Sequence, residues 1–172
     1  KKISIFFQVL FKIKNFWTYF RIYFFPDGKN HQLHFWNGTI LLAGQNSSNL
    51  GIINEVFFYQ DYLKHFKKTD PQIIIDIGAN VGYFTMFAKT YFPSAKIYSF
   101  EPFAQSFEQL SEQIKLNKFT GIFAFQKAVT QRTGNAELSI VGDCGENTLL
   151  KTTTAKEILN IQSISLEDIF KQ

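Results

Sequence analysis

Apolar residues fill nearly every position from 3 to 25, and Ser4, Gln8, Lys12, Asn15, Thr18 and Arg21 form a thin polar stripe among them. Their spacing of 4, 4, 3, 3 and 3 lines them up along one face of a helix. The pattern predicts one helix over residues 3–25, ended by the turn Pro26-Asp27-Gly28. A helix so apolar must be covered by a core, a partner or a membrane interface. Packing on the rest of the chain is one reading, and peripheral membrane contact through residues 1–25 is the other. Residues 32–36 and 39–42 are β-prone and flank Asn37-Gly38, which predicts a hairpin whose two turn positions both have φ > 0. Residues 53–68 then place Val56, Tyr59, Leu63 and Phe66 at helical intervals, until Thr69-Asp70-Pro71 breaks the run.

From residue 72 the period alternates between strand and helix. Ile73–Ile77 is β-branched everywhere except Asp76, residues 81–91 read as a helix stopped before Pro93, and Lys96–Phe100 reads as a second strand. Residues 103–117 form a second helix with Phe103, Phe107, Leu110 and Ile114 inward, and Ile122–Phe125 a third strand. This β-α-β-α-β order implies a parallel sheet with right-handed crossovers. Residues 136–141 and 161–165 read as short further strands, and 166–170 as the opening of a short helix.

Composition narrows the class. The 172 residues include 21 Phe and 7 Tyr within 45% apolar content, which is globular and not disordered. The single cysteine, Cys144, excludes a disulfide framework and fits a reducing, cytoplasmic compartment, with the inner membrane face as the alternative address. Lys1, Lys2, Lys12, Lys14, Arg21 and Lys29 stand against Asp27 alone in residues 1–30, whereas the remainder holds 12 basic and 13 acidic groups. The net charge of +4 therefore belongs to one end, and the body carries no nucleic-acid footprint. No run reaches the roughly 18 uncharged apolar residues of a membrane span. No small-residue cleavage site follows residues 3–11. A start at Lys1 is expected of a piece of something longer.

The chemistry concentrates in Asp76-Ile77-Gly78-Ala79-Asn80-Val81-Gly82 and in Phe100-Glu101-Pro102. A carboxylate near the end of a buried strand is costly unless it is hydrogen-bonded or faces a ligand. Gly78 and Gly82 allow a tight turn and close ligand approach. The N–H groups of the helix that opens there face the same spot. Glu101 ends the next strand, 23 residues after Gly78, where a carboxylate accepts hydrogen bonds from ribose hydroxyls. Phe103 is placed to stack on an adenine. Dinucleotide dehydrogenases compete for such a site, but their G-x-G-x-x-G is absent and Asp76 would repel a pyrophosphate. A ligand with an ammonium or sulfonium tolerates Asp76 better, and S-adenosylmethionine has both cations, a ribose and an adenine. Cys144 has no sequence-near His, while His31, His34 and His65 lack metal-ligand spacing. Glu167-Asp168 reads as a helix N-terminus and Lys67-Lys68 as a solvated helix end.

Asp76 to Phe84 together with Phe100-Glu101-Pro102 resembles the FkbM-type S-adenosylmethionine-dependent methyltransferases, whose glycine motif has the form D-x-G-A-N-x-G. Asn117, Ala128-Val129, Gly134, Glu55-Val56-Phe57 and Tyr62 extend the similarity over about residues 50–170. The resemblance implies an α/β, Rossmann-like class I methyltransferase fold preceded by an N-terminal helix and β-hairpin. It divides the chain into residues 1–30, 31–70 and 71–172, the last being the N-terminal half of the domain. The family's acidic fourth-strand motif would follow residues 164–170, so the fold is expected to be incomplete at its C-terminus. By resemblance, Asp76, Gly78, Asn80 and Gly82 shape the methionine end of the cofactor site, and Ala79, Tyr83 and Pro102 count among its cofactor-binding residues. Glu101 holds the ribose, Phe103 with Gln126, Lys127 and Ala128 flanks the adenine, and Tyr62 or Glu55 contacts the amino-acid tail. The implied reaction is methyl transfer to an oxygen of a small-molecule or glycan acceptor, with no residue singled out as catalytic. An NAD-type oxidoreductase and a truncated, membrane- or partner-bound remnant are the alternatives.

Overall fold

A computed structural model of the chain describes residues 2–44, 47–59, 62–63, 70–141, 149 and 156–171. The N-terminal segment is two helices, α1 (Lys2–Lys12) and α2 (Phe16–Phe24), rather than the single helix its periodicity predicts. The break follows from hydrogen bonds to the hairpin of β1 (His31–His34) and β2 (Ile40–Ala43). Lys14 N–H donates to the His34 carbonyl at 2.7 Å and Trp36 N–H to that of Lys12 at 3.0 Å, which seats Ile13 against Phe35 as a short antiparallel bridge. Asn15, a residue type that competes with helix by bonding nearby backbone, accepts from His34 N–H at 2.8 Å and donates to the Gln32 carbonyl at 2.8 Å.

The hairpin pairs His31 with Ala43 through to His34 with Ile40. Its turn differs from the two-residue form expected. Gly38 N–H bonds the Phe35 carbonyl, Phe35 N–H bonds that of Thr39, and Gly38 alone has positive φ, at 92°. The loop is thus a three-residue type with glycine in the left-handed position. Asn37 supplies its amide oxygen to Thr39 N–H at 3.1 Å instead.

Helix α3 (Ser47–Ile53) starts earlier than predicted and widens into a π-helical stretch, Asn54–Tyr59. There Val56, Phe57 and Phe58 are all buried, three neighbours that a regular amphipathic helix does not place on one narrow stripe. Of the rest of the helix expected over 53–68, residues 60–61 and 64–68 lie outside the described residues.

Strands β3 (Ile73–Ile77), β4 (Lys96–Phe100) and β5 (Ile122–Phe125) form a parallel sheet in that order, joined by α4 (Tyr83–Tyr91) and α5 (Ala104–Asn117). This is the predicted Rossmann-like alternation. β3 is a terminal strand of the described sheet, with Ile73 and Ile77 60% and 53% exposed. A second sheet holds β6 (Ala128–Thr130), β7 (Gly134–Ile140) and β8 (Glu157–Ser165) in the order β6-β8-β7, followed by α6 (Leu166–Ile169). β6 lies parallel to β8 and β7 antiparallel to it. The first of these strands was not predicted, being only three residues long, and the other two run longer than expected.

The buried face of α5 is Ser106, Gln109, Leu110 and Gln113, rotated from the predicted apolar stripe and mostly polar. The reason is β2. Gln109, Gln113 and Asn117, four residues apart on one helix face, meet the strand edge that β1 leaves open. Gln109 Nε2 donates to the Leu42 carbonyl at 3.2 Å, Gln113 Oε1 accepts from Leu42 N–H at 3.3 Å, and Asn117 exchanges bonds of 2.7 and 2.8 Å with Ile40 N–H and C=O. Side-chain amides here do the work of a neighbouring strand. One apolar cluster then runs from Val9, Ile13, Tyr19 and Ile22 through Leu33 and Phe57 to Met86 and Phe87, joining the N-terminal segment to α4.

Asn117→Ala strips both partners from Ile40 at once. It is expected to lower unfolding free energy by about 2–3 kcal/mol, read as a melting temperature reduced by roughly 5–10 °C. Glu112→Ala on the exposed face of the same helix is expected to change stability by less than about 0.5 kcal/mol.

Candidate cofactor site

The loop leaving β3 is built by backbone rather than side chains. Gly78 and Ala79 N–H groups both donate to the Phe100 carbonyl, at 2.9 and 3.0 Å, tying the loop to the end of β4. Gly78 has φ 73°, and a Cβ added there would meet nothing within 4 Å, so the backbone conformation selects glycine and the space above it stays open. Gly82 is glycine for a different reason. At φ 91° its added Cβ would stand 2.6 Å from Leu110 Cδ1, so this residue admits α5 rather than a ligand.

Glu101 spans the mouth of the loop. Its Oε2 accepts from Asn80 N–H at 2.8 Å and its Oε1 from Phe103 N–H at 2.9 Å. Asn80 itself is left-handed, at φ 50°, a conformation asparagine tolerates better than most residues. Its Oδ1 is buried without a hydrogen-bond partner among the described residues. Asp76, one turn of chain earlier, is buried in β3 opposite Ser99. Thr85 Oγ1 donates to Asp76 Oδ2 at 2.6 Å and lies 2.8 Å from Ser99 Oγ.

The electrostatics are one-sided. Burial pushes the Asp76 carboxyl up to about 6, only partly offset by the Thr85 hydrogen bond. Burial also raises Glu101, against the two backbone N–H groups that stabilise its charge, and the nearby Asp76 raises it further. Among the described residues neither carboxylate has an ion pair. Two carboxylates and an orphaned amide oxygen are all acceptors. They fit a ligand that brings a cation and hydroxyl donors, and they disfavour a pyrophosphate.

The structure gathers Asp76, Gly78, Ala79, Asn80, Glu101 and Phe103 around this loop. Pro102 follows Glu101 half-buried, while Gln126 is exposed beyond the end of β5, beside a half-buried Lys127 and the buried Ala128. Phe125 carbonyl takes Glu101 N–H at 3.1 Å and Lys127 N–H at 2.9 Å, which holds the 126–127 turn next to Glu101. Tyr62 packs its ring 4.8 Å from that of Phe84, in the first turn of α4, and stays half-exposed. Glu55 is exposed on the π-helical stretch, with no described contact to the loop. Tyr83 is corrected outright: its ring is buried and its hydroxyl donates to the Leu42 carbonyl at 2.7 Å, so it faces the hairpin and not the cofactor loop. Thr85 and Ser99 escaped the sequence reading; the parallel register that sets Ser99 beside Asp76 is the signal that finds them.

No family model matches the chain. Over 78 residues it is 33% identical to methyltransferase sdnD of Sordaria araneosa, an alignment covering 45% of this chain and 30% of that protein. Over 93 residues it is 27% identical to methyltransferase 1 of Beauveria bassiana, covering 52% and 37%. The chain thus spans about a third of the length of the curated relatives it matches. Among solved structures, methyltransferase FkbM of Methylobacillus flagellatus aligns with 12% identity and a TM-score of 0.44, over 65% of this chain and 26% of that one. TYW2 of M. jannaschii, in complex with AdoMet, aligns with 19% identity and a TM-score of 0.41, over 56% and 42%.

A carboxyl whose native pKa lies above its unfolded value favours folding most when protonated. Its contribution falls as pH rises from about 4 through about 6, reaching a cost on the order of 2–3 kcal/mol at neutral pH. Asp76→Asn keeps an acceptor for Thr85 and removes that cost. Its melting temperature is expected to exceed that of the parent chain by roughly 5–10 °C at pH 7.5, with the difference shrinking towards pH 4. A difference independent of pH contradicts the assignment.

Proposed function

We propose that this chain carries the S-adenosylmethionine half-site of a methyltransferase that acts on a hydroxyl of a saccharide or related small molecule. The observation that carries the reading is the acceptor-only cradle of Asp76, Asn80 and Glu101 around a glycine loop opened by Gly78. The likeness to two curated methyltransferases supports the transfer class. The D-x-G-A-N-x-G motif, with its resemblance to the FkbM type, supports oxygen as the acceptor atom.

When bound, the cofactor supplies a sulfonium-activated methyl group and its own leaving group. The chain's residues bind and orient. Asp76 and the free Asn80 Oδ1 receive the cationic methionine end. Glu101, its two oxygens already aligned by Asn80 and Phe103 N–H groups, accepts from the ribose hydroxyls. Phe103 and the 126–127 turn flank the adenine. Rigid placement of the methyl donor is the chief catalytic contribution such a site can make. A base for the hydroxyl proton is not among these residues.

Thermal-shift titration separates the ligand classes. S-adenosylhomocysteine, which keeps the ammonium and ribose, is expected to raise the melting temperature by several degrees at about a hundred times its dissociation constant; stabilisation by NAD alone overturns the reading. Glu101→Gln is expected to weaken S-adenosylhomocysteine at least tenfold, as loss of a charge-assisted pair of ribose bonds. The pH profile has a definite sign. A ligand ammonium draws the Asp76 proton off, so affinity rises with pH below about 6, by up to tenfold per unit, and levels off above it. Asp76→Asn flattens that rise.

A further inference from the structure

Helices α1 and α2 carry apolar residues on their outer side as well as their inner one. A helix on a globular surface turns apolar residues inward and polar ones to water. Here two residues of the polar stripe face the protein, since Lys12 Nζ donates to the Phe57 carbonyl at 3.0 Å and Asn15 exchanges bonds with β1, while Arg21 of the same stripe is exposed. Val9, Ile13, Tyr19 and Ile22 fill the remaining inward positions. The rings left over point outward. Phe11 is 77%, Trp17 74%, Phe25 76% and Trp36 65% exposed, with Phe7 and Phe24 more than half so. Phe11 and Trp36 also share with Tyr91 a groove of about 250 Å³ at the far end of α4.

Basic groups accompany the rings. Lys14 Nζ sits 5.4 Å from the centre of the Trp36 ring, and Arg21 lies one turn from both Trp17 and Phe24. Residues 1–30 carry a surplus of five positive charges in the sequence; on this face Lys14 and Lys29 are exposed, Arg21 is paired with Asp27 at 2.9 Å, and Lys12 turns inward to the Phe57 carbonyl. We propose that this aromatic, basic face of α1, α2 and the hairpin turn docks on an anionic lipid bilayer surface. Tryptophan and phenylalanine beside lysine and arginine is the composition that partitions into the headgroup region. A second copy of the chain is the poorer occupant, because a two-fold contact sets each basic surplus against the other. The geometry also orients the molecule. α4 runs from the cofactor loop at Tyr83 to the lipid-side groove at Tyr91, about 13 Å at 1.5 Å per residue.

The chain's two tryptophans, Trp17 and Trp36, both lie on this face, so their fluorescence reports the contact directly. The full chain is titrated with vesicles of phosphatidylcholine alone and of phosphatidylcholine with about a third phosphatidylglycerol, following emission and co-sedimentation. The expected result is a blue shift and sedimentation with the anionic vesicles, reversed by salt. Phe11→Ser with Trp17→Ser is expected to weaken that binding at least tenfold, and Lys14→Glu about fivefold or more. All three positions are exposed, so far-ultraviolet circular dichroism and the thermal shift with S-adenosylhomocysteine should stay as in the parent chain. Equal behaviour with neutral and anionic vesicles, or unaltered binding by the double variant, overturns the proposal. A vesicle-independent dimer in sedimentation velocity that Trp17→Ser dissolves assigns the face to a second copy and overturns it equally.

Discussion

One buried amide, Gln113, holds the two parts of the molecule in register. Its Oε1 accepts from Leu42 N–H of the hairpin at 3.3 Å, and its Nε2 donates to the Val81 carbonyl in the loop that follows β3. A hairpin strand with an open edge ordinarily seeks another strand. Here it meets the amides of α5, and the same helix drives Leu110 against Gly82. The seating of the hairpin, the direction of α5 and the shape of the 78–82 loop are therefore one constraint. Buried amides in such a network are demanding, since each unmet group carries its full desolvation cost. Met in full, they allow only one relative placement of hairpin and sheet.

That rigidity serves a loop that is not at ease. Asp76 and Glu101 are carboxylates whose proton affinity burial raises, Glu101 further by the nearby Asp76, and Asn80 Oδ1 has no partner among the described residues. Groups so arranged weaken the fold and strengthen a cationic, hydroxyl-bearing ligand, which is the usual trade at binding sites. Thr85, itself bonded to Ser99, holds Asp76 in place while leaving it without a counter-charge among the described residues. Stability lost at the loop is offset by the aromatic core reaching from Val9 to Phe87.

The parallel β-α-β-α-β half was legible in the sequence because strand and helix periods there reflect simple burial. Ile73–Ile77, Lys96–Phe100 and Ile122–Phe125 form where their patterns place them. The N-terminal half misled for a physical reason. Periodicity shows that Lys12 and Asn15 share a face, but not that the face turns inward to bond backbone, nor that Asn15 ends one helix and begins another. Likewise the inner face of α5 was sought among Phe103, Phe107 and Ile114, whereas the strand edge required amides. At the site, Asp76 stood out because a carboxylate in a buried strand is costly without a purpose, Glu101 because it ends the next strand, and Asn80 through the D-x-G-A-N-x-G resemblance. Tyr83 came with the motif that carries the resemblance, and a motif at a helix start does not fix which way a ring points.

The two halves also bear on each other mechanically. Val9, Ile13, Tyr19 and Ile22 belong to the same core as Met86 and Phe87 of α4, so the N-terminal helices are not a loose arm. A load placed on their outer face passes through packed side chains to α4, whose first turn borders the cofactor loop. Close-packed cores transmit displacement instead of absorbing it. Whatever covers those exposed rings is therefore coupled through that core to the helix that follows the loop carrying Asp76 and Asn80. The aromatic surface and the helix that follows the acceptor-only cradle thus share one packed core.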